Sequence, residues 1–240
     1  GNASANRIIG NDGGNRLAGL GGDDRLQGGG GDDRLDGGAG TDTLEGGYGA
    51  DELNGGAGTD TAVYAGARSG SAVTRTGSDW RVTDGSGDEG TDTLQSIERL
   101  RFADTAIALD LDGAAGSTAR LIGAIFGTPF LIPEFVGIGI RFFDDGWSME
   151  AVAQLALNTD LYVERAGSRS NADFVRLVYE NVLGVAPSAA EQAVYEGILD
   201  RGEMTQAQLA VFAAETAENA LNIDLVGLSN SGIEFTPNAG

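Results

Sequence analysis

The aliphatic positions of the first 63 residues recur with a period of nine. Ile8, Leu17, Leu26, Leu35, Leu44, Leu53 and Ala62 each follow a glycine-rich stretch and two or more polar or small residues. One inward side chain per unit predicts a short strand entered from a tight turn. The period fades after residue 63, but residues 72–76 and 80–83 stay rich in β-formers. Gly77-Ser78-Asp79 between them predicts a hairpin. From about residue 114 the spacing turns helical, with Leu121, Ile122, Ile125 and Phe126 on one face and Phe174, Leu177, Val178 and Val182 repeating the pattern. Ser188 to Glu191 and Thr205 to Gln208 read as capping boxes, Gly146 and Gly202 as C-caps, and Pro133 and Pro187 as helix starts.

The polar half of the nine-residue unit carries the chemistry. Its sixth position reads Asn6, Asn15, Asp24, Asp33, Asp42, Asp51 and Asp60. If two units close one coil, equivalent aspartates recur every 18 residues and stack about 4.8 Å apart, the spacing of neighbouring strands. Two carboxylates at that distance repel by roughly 3 kcal/mol at an effective dielectric near 20. A hard cation turns that repulsion into coordination, and calcium prefers carboxylate and carbonyl oxygens. Glycine lets the turn take positive φ and brings carbonyls toward a common point. The stacked pairs are 6 with 24, 15 with 33, 24 with 42, 33 with 51 and 42 with 60. The first two contain Asn6 or Asn15, so those sites are expected to be weaker or absent. One aliphatic group in nine residues is a small return for ordering so much glycine. The segment is therefore expected to be disordered without metal, with binding and folding one event.

The unit G-G-x-G-x-D-x-U-x, best kept in residues 28–60, resembles the calcium-binding nonapeptide of RTX proteins. The resemblance implies a parallel β-roll holding about five or more calcium ions. It also implies carbonyl ligands at the first and third positions of units three to six: Gly19, Gly21, Gly28, Gly30, Gly37, Ala39, Gly46 and Tyr48. Residues 90–104 resemble the segment that continues and caps the roll in serralysin-like and other RTX proteins. There Gly90-x-Asp92-x-Leu94 echoes the repeat. Asp92 and Asp104 are candidates for a further cation; solvated loop aspartates are the plainer alternative.

The helical region contains a weaker repeat with an offset of 56–57 residues. Phe126-Gly127-Thr128-Pro129 aligns with residues 183–187, and Gly146-Trp147-Ser148 aligns with residues 202–205. It resembles the helical domain of unknown function often appended to exported RTX proteins. The first copy departs in its apolar run over residues 130–136, followed by Ile138, Ile140, Phe142 and Phe143. That run reads first as core and second as a partner surface. Tyr64, Trp80, Trp147 and Tyr162 read as core more simply than as a carbohydrate platform.

The expected fold is α+β and multidomain: a parallel β-roll over 1–63, a β extension and cap over 64–113, and an all-α helical bundle over 114–240. Helical repeats are expected at about 117–165 and 173–220.

Composition narrows the function. Fifteen basic residues, all arginine, face 36 acidic ones, for a net charge of −21. Such acidity argues against a nucleic-acid or anionic-membrane partner, and no stretch has the length of a transmembrane helix. There is no histidine, lysine or cysteine. That removes the Ser-His-Asp triad, the Cys-His pair, H-E-x-x-H zinc sites and the P-loop. Catalysis is not expected within these residues. The start inside the repeat register leads us to expect the C-terminal part of something longer. The RTX resemblance implies a secreted, extracellular or cell-surface protein exported through type I machinery, with a C-terminal signal near 227–235. The helical domain would meet a cell-surface, polysaccharide or self-assembly partner. The alternative is the non-catalytic tail of a secreted hydrolase, such as a serralysin-like protease or RTX lipase.

Overall fold

The computed structural model describes residues 1–85 and 89–237. Its chain divides into two compact units, one of Gly1–Asp110 with Asn230–Pro237, the other containing Leu111–Ser229.

The first unit begins as a parallel β-solenoid of about three turns. Its strands are β1 (Arg7–Ile9), β2 (Arg16–Gly21), β3 (Arg25–Gly30), β4 (Arg34–Ala39), β5 (Thr43–Tyr48), β6 (Glu52–Ala57) and β7 (Thr61–Val63). Odd and even strands lie in separate sheets, each pairing in parallel with the strand one coil away. The register sets Leu26 against Leu44 and Leu35 against Leu53, so two nine-residue units close one coil. Leu26, Leu35, Leu44, Leu53 and Ala62 form a fully buried file between the sheets, with Ile8 and Leu17 partly covered. From the third unit on, the second position makes a left-handed turn: Gly29, Gly38, Gly47 and Gly56 have φ between 105° and 118°. Leu20 adopts the same turn at φ 83° with its side chain exposed, a conformation costly for a non-glycine residue.

Both sheets end in antiparallel strands. β8 (Ser71–Thr76) and β9 (Asp79–Asp84) form the hairpin, and β10 (Thr91–Gln95) joins it to the roll by pairing in parallel with β6. On the other sheet, β11 (Arg99–Arg101) extends β7, β12 (Ala106–Ala108) turns back on it, and β13 (Ile233–Phe235) adds the outer strand. Residues 233–235, read from sequence as part of the helical region, are thus a strand of the β unit. A ladder edge recruits them because unpaired backbone groups seek partners. Tyr64 and Phe102 stack beneath this end, and Arg99 is buried in an ion pair with Asp110.

The second unit is helical: α1 (Ala114–Phe126), α2 (Pro133–Asp144), α3 (Met149–Leu157), α4 (Asp160–Ala166), α5 (Asn171–Leu183), α6 (Ala189–Asp200), α7 (Gln206–Ala214), α8 (Ala217–Asn222) and α9 (Leu225–Ser231). The order long, long, short, short occurs twice, over α1–α4 and α5–α8. Ser148, Thr159, Ser170, Ser188, Thr205 and Thr216 cap their helices through side-chain oxygens, and Ser188 and Thr205 complete capping boxes. Gly184 ends α5 in the left-handed region. One core joins both halves around Ile125, Tyr162, Phe174 and Leu177. The apolar run of the first copy packs mostly inward: Val136 and Ile140 are buried, and Phe130, Phe142 and Phe143 lie against the core.

Candidate metal centres in the roll

The sixth-position residues form two ladders. Each backbone N–H donates to the Oδ1 of the carboxylate one coil later: Asn6 to Asp24 at 2.6 Å, Asn15 to Asp33 at 2.6 Å, Asp24 to Asp42 at 2.7 Å, Asp33 to Asp51 at 2.8 Å and Asp42 to Asp60 at 2.8 Å. All five spacings expected from sequence are therefore present, joined head to tail. The reason is local: the N–H of residue six precedes the strand, so the ladder does not use it, and a carboxylate supplies its acceptor.

One oxygen of each carboxylate remains. Asp24, Asp33, Asp42, Asp51 and Asp60 are buried, at most 3% exposed, and none of their Oδ2 atoms has a hydrogen-bond partner. These oxygens converge with backbone carbonyls on space that only glycine leaves open. A Cβ on Gly19 would sit 2.1 Å from Asp24 Oδ2 and 2.5 Å from the Gly37 carbonyl oxygen. On Gly28 it would sit 2.1 Å from Asp33 Oδ2 and 2.6 Å from the Gly46 oxygen, and on Gly37 it would sit 2.4 Å from Asp42 Oδ2 and 2.7 Å from the Gly55 oxygen. A buried, unpaired carboxylate oxygen is costly; beside inward-pointing carbonyls it is a donor set for a hard cation.

Electrostatics agree with that geometry. Burial, more than any other cause, pushes Asp51 and Asp60 up to about 6 and Asp92 up to about 7, and raises Asp42 and Glu98. Hydrogen bonds from backbone N–H groups pull the other way, and neighbouring carboxylates add to the rise. Among the described residues no three acidic side chains gather into one cluster. Carbonyls would therefore have to supply most ligands.

The remaining sequence-derived candidates fall into distinct places. Asn6 and Asn15 occupy the ladders' first rungs, where their Oδ1 atoms accept from Asn2 and Asn11 backbone N–H groups at 2.8 Å. The Gly37 and Gly46 carbonyls lie beside Asp24 and Asp33 Oδ2, whereas those of Gly19 and Gly28 lie beside the Oδ1 atoms of Asn6 and Asn15. Gly21, Gly30, Ala39 and Tyr48 end their strands, paired Gly21 to Ala39 and Gly30 to Tyr48 one coil apart. Asp92 continues a ladder across the cap, accepting from the Asp51 N–H at 3.0 Å. Asp104 does not join: it is exposed, and its Oδ1 accepts from the Arg68 N–H at 2.8 Å, tying down a loop. Sequence reading missed Glu98, whose Oε2 accepts from the Asp60 N–H at 2.8 Å. Its signal was the acid-x-aliphatic spacing of Glu98-Arg99-Leu100, the same as Asp60-Thr61-Ala62.

Comparison with known families fits this geometry. Residues 1–35, 9–44 and 27–62 match the RTX calcium-binding nonapeptide repeat (4 copies). The roll is an array of RTX repeats. Calcium binding is the property these RTX repeats imply. Residues 153–223, from α3 through α8, match a domain of unknown function, DUF4214. The crystal structure of the extracellular lipase LipA from Serratia marcescens is similar at 21% identity with a TM-score of 0.30. The likeness covers 45% of this chain and 16% of the lipase, and carries no argument about activity. No curated protein matches the chain.

The helical unit offers two related apolar clefts. One of about 350 Å³ is lined by Val178, Leu183, Tyr195, Leu209 and Phe212; another of about 200 Å³ by Leu121, Phe126, Ile138, Val152 and Leu155. These five residues correspond one to one across the two halves at the same offset. Tyr64, Trp80 and Tyr162 are buried, leaving Trp147 as the exposed member of the four aromatics considered for carbohydrate. Among the described residues no helix is long and apolar enough to cross a membrane.

Proposed function

We propose that the RTX unit is a calcium-folded module of an exported extracellular protein. Calcium would be held by the free oxygens of Asp24, Asp33, Asp42, Asp51 and Asp60, with the Gly37, Gly46 and Gly55 carbonyls beside the first three. The supporting observation is the row of five buried, unpartnered Oδ2 atoms, each beside a glycine Cα. When bound, the ion neutralises the buried carboxylates and ties consecutive coils together. The protein residues do the rest: backbone N–H groups fix each carboxylate through Oδ1, and glycine keeps the space open.

That arrangement suits export. Submicromolar cytosolic calcium would leave the chain unfolded for a type I channel, and millimolar external calcium would fold it. RTX repeat proteins are typically secreted. In this reading the role is non-catalytic, and the helical unit provides surface attachment or assembly. Its paired clefts and exposed Phe212 support that role. Far-ultraviolet circular dichroism during a calcium titration tests the folding claim, expecting β signal to appear with calcium. A full β spectrum in excess chelator would overturn it. Light scattering in parallel tests assembly, which a monomer at every calcium level would refute.

A further inference from the structure

The ladder ending at Asp60 continues with a different chemistry. Thr61 pairs with Arg99 in register, so Glu98 stands where the next sixth-position aspartate would be. The turn reaching it is shorter. In a repeat the first-position glycine precedes the carboxylate by five residues; here Ser96 precedes Glu98 by two. The extra methylene of glutamate spans the difference to the Asp60 N–H. Ser96 takes φ 48°, a left-handed conformation unusual for a non-glycine residue. That turn places the Ser96 carbonyl 2.2 Å from where a Cβ on Gly55 would be, with Asp60 Oδ2 2.5 Å from the same point. Gly37 and Gly46 carbonyls hold the equivalent place beside Asp24 and Asp33. Asp60 is fully buried and its Oδ2 has no partner.

We propose that the turn between β10 and β11 completes a calcium site of its own, formed by the Asp60 carboxylate and the Ser96 carbonyl beside Glu98. The last ion then joins roll to cap, and the cap folds with calcium although it lacks a complete nonapeptide. This rests on the calcium reading of the roll and extends it to residues outside the repeat.

Trp80 gives the readout. It is buried in β9, opposite Leu94 of β10, and the chain has only one other tryptophan, Trp147. In the full chain carrying Trp147→Phe, Trp80 emission is followed through a calcium titration, with circular dichroism reporting the roll. Asp60→Asn should raise the calcium midpoint of the Trp80 transition about tenfold or more, as loss even of a ligand's outer partner does. Asp24→Asn, two coils away, should move it much less. Glu98→Gln keeps an oxygen for the Asp60 N–H while removing the charge. It should raise the same midpoint, and it carries the test if Asp60→Asn fails to fold. A roll that folds with calcium while Trp80 ignores both Asp60→Asn and Glu98→Gln, or responds equally to Asp24→Asn, overturns the proposal alone. Absence of any calcium response in the parent chain overturns the calcium reading of the roll and this proposal together.

Discussion

The two units treat buried polar groups in opposite ways. In the helical unit, the hydroxyls of Ser188 and Thr205 accept from N–H groups three residues away, and the partners Glu191 and Gln208 return the bond. Its unpartnered buried atoms, Thr118 Oγ1, Tyr162 OH and Asn219 Oδ1, are uncharged. In the roll, five buried carboxylates each keep one oxygen without a protein partner. The apolar resources differ too: the helical core includes Tyr162, Phe174 and Leu177, whereas the repeats contribute one leucine-sized side chain per nine residues. A unit with a large core and local caps stands on its own side chains. A unit with a thin core and buried charge depends on what neutralises that charge.

Calcium removal should therefore split the molecule most sharply. In chelator, hydrogen exchange should show the amides of β3 to β7 unprotected while those of α5 stay protected. Equal loss in both units would break the contrast. A smaller and more local effect is expected from Gly28→Ala. The alanine methyl falls on the space shared by Asp33 Oδ2 and the Gly46 carbonyl, and Gly28 has no positive φ to strain. Calorimetry should show that site weakened about tenfold or more, with helical stability unchanged. An unaltered isotherm would mean that the cation, if any, sits elsewhere.

Acidity offers a third test, with a sign set by burial. Burial pushes Asp51 and Asp60 up to about 6 and Asp92 up to about 7, from an ordinary 3.8. Protons are thus held more tightly by the folded than the unfolded chain. Metal-free stability of the roll should be greatest near pH 4 and fall as pH rises through 6 to 7. Dichroism in chelator should accordingly show more β structure at pH 5 than at pH 8. With calcium present the order reverses, because protons compete for the same oxygens. The smallest effect belongs to the caps: Thr205→Ala should lower helical stability by about 1 kcal/mol and leave the calcium midpoint untouched.

Some of this was legible in the residues. The phased leucines gave the coil length, and Leu26 against Leu44 has the 18-residue register they implied. Ser188 to Glu191 announced its own cap because capping is a three-residue affair. Glu98 was passed over, and Asp104 was left open between cation ligand and loop aspartate, for the converse reason. Both are acidic residues near Asp92, and only the pairing of β7 with β11 separates a ladder rung from a loop tie. The strand at residues 233–235 was likewise hidden, since its partner Ala106–Ala108 lies far away in sequence.

What the chain determined alone was periodic: nine-residue units, a carboxylate column, an aliphatic column and self-capped helices. Those depend on contacts within a few residues or on a repeat that samples the same contact many times. The tertiary structure decided which oxygen of each carboxylate is used, which carbonyl it meets, and how the roll ends. Those are single meetings between distant segments, set by strand register and burial, and no local pattern encodes them.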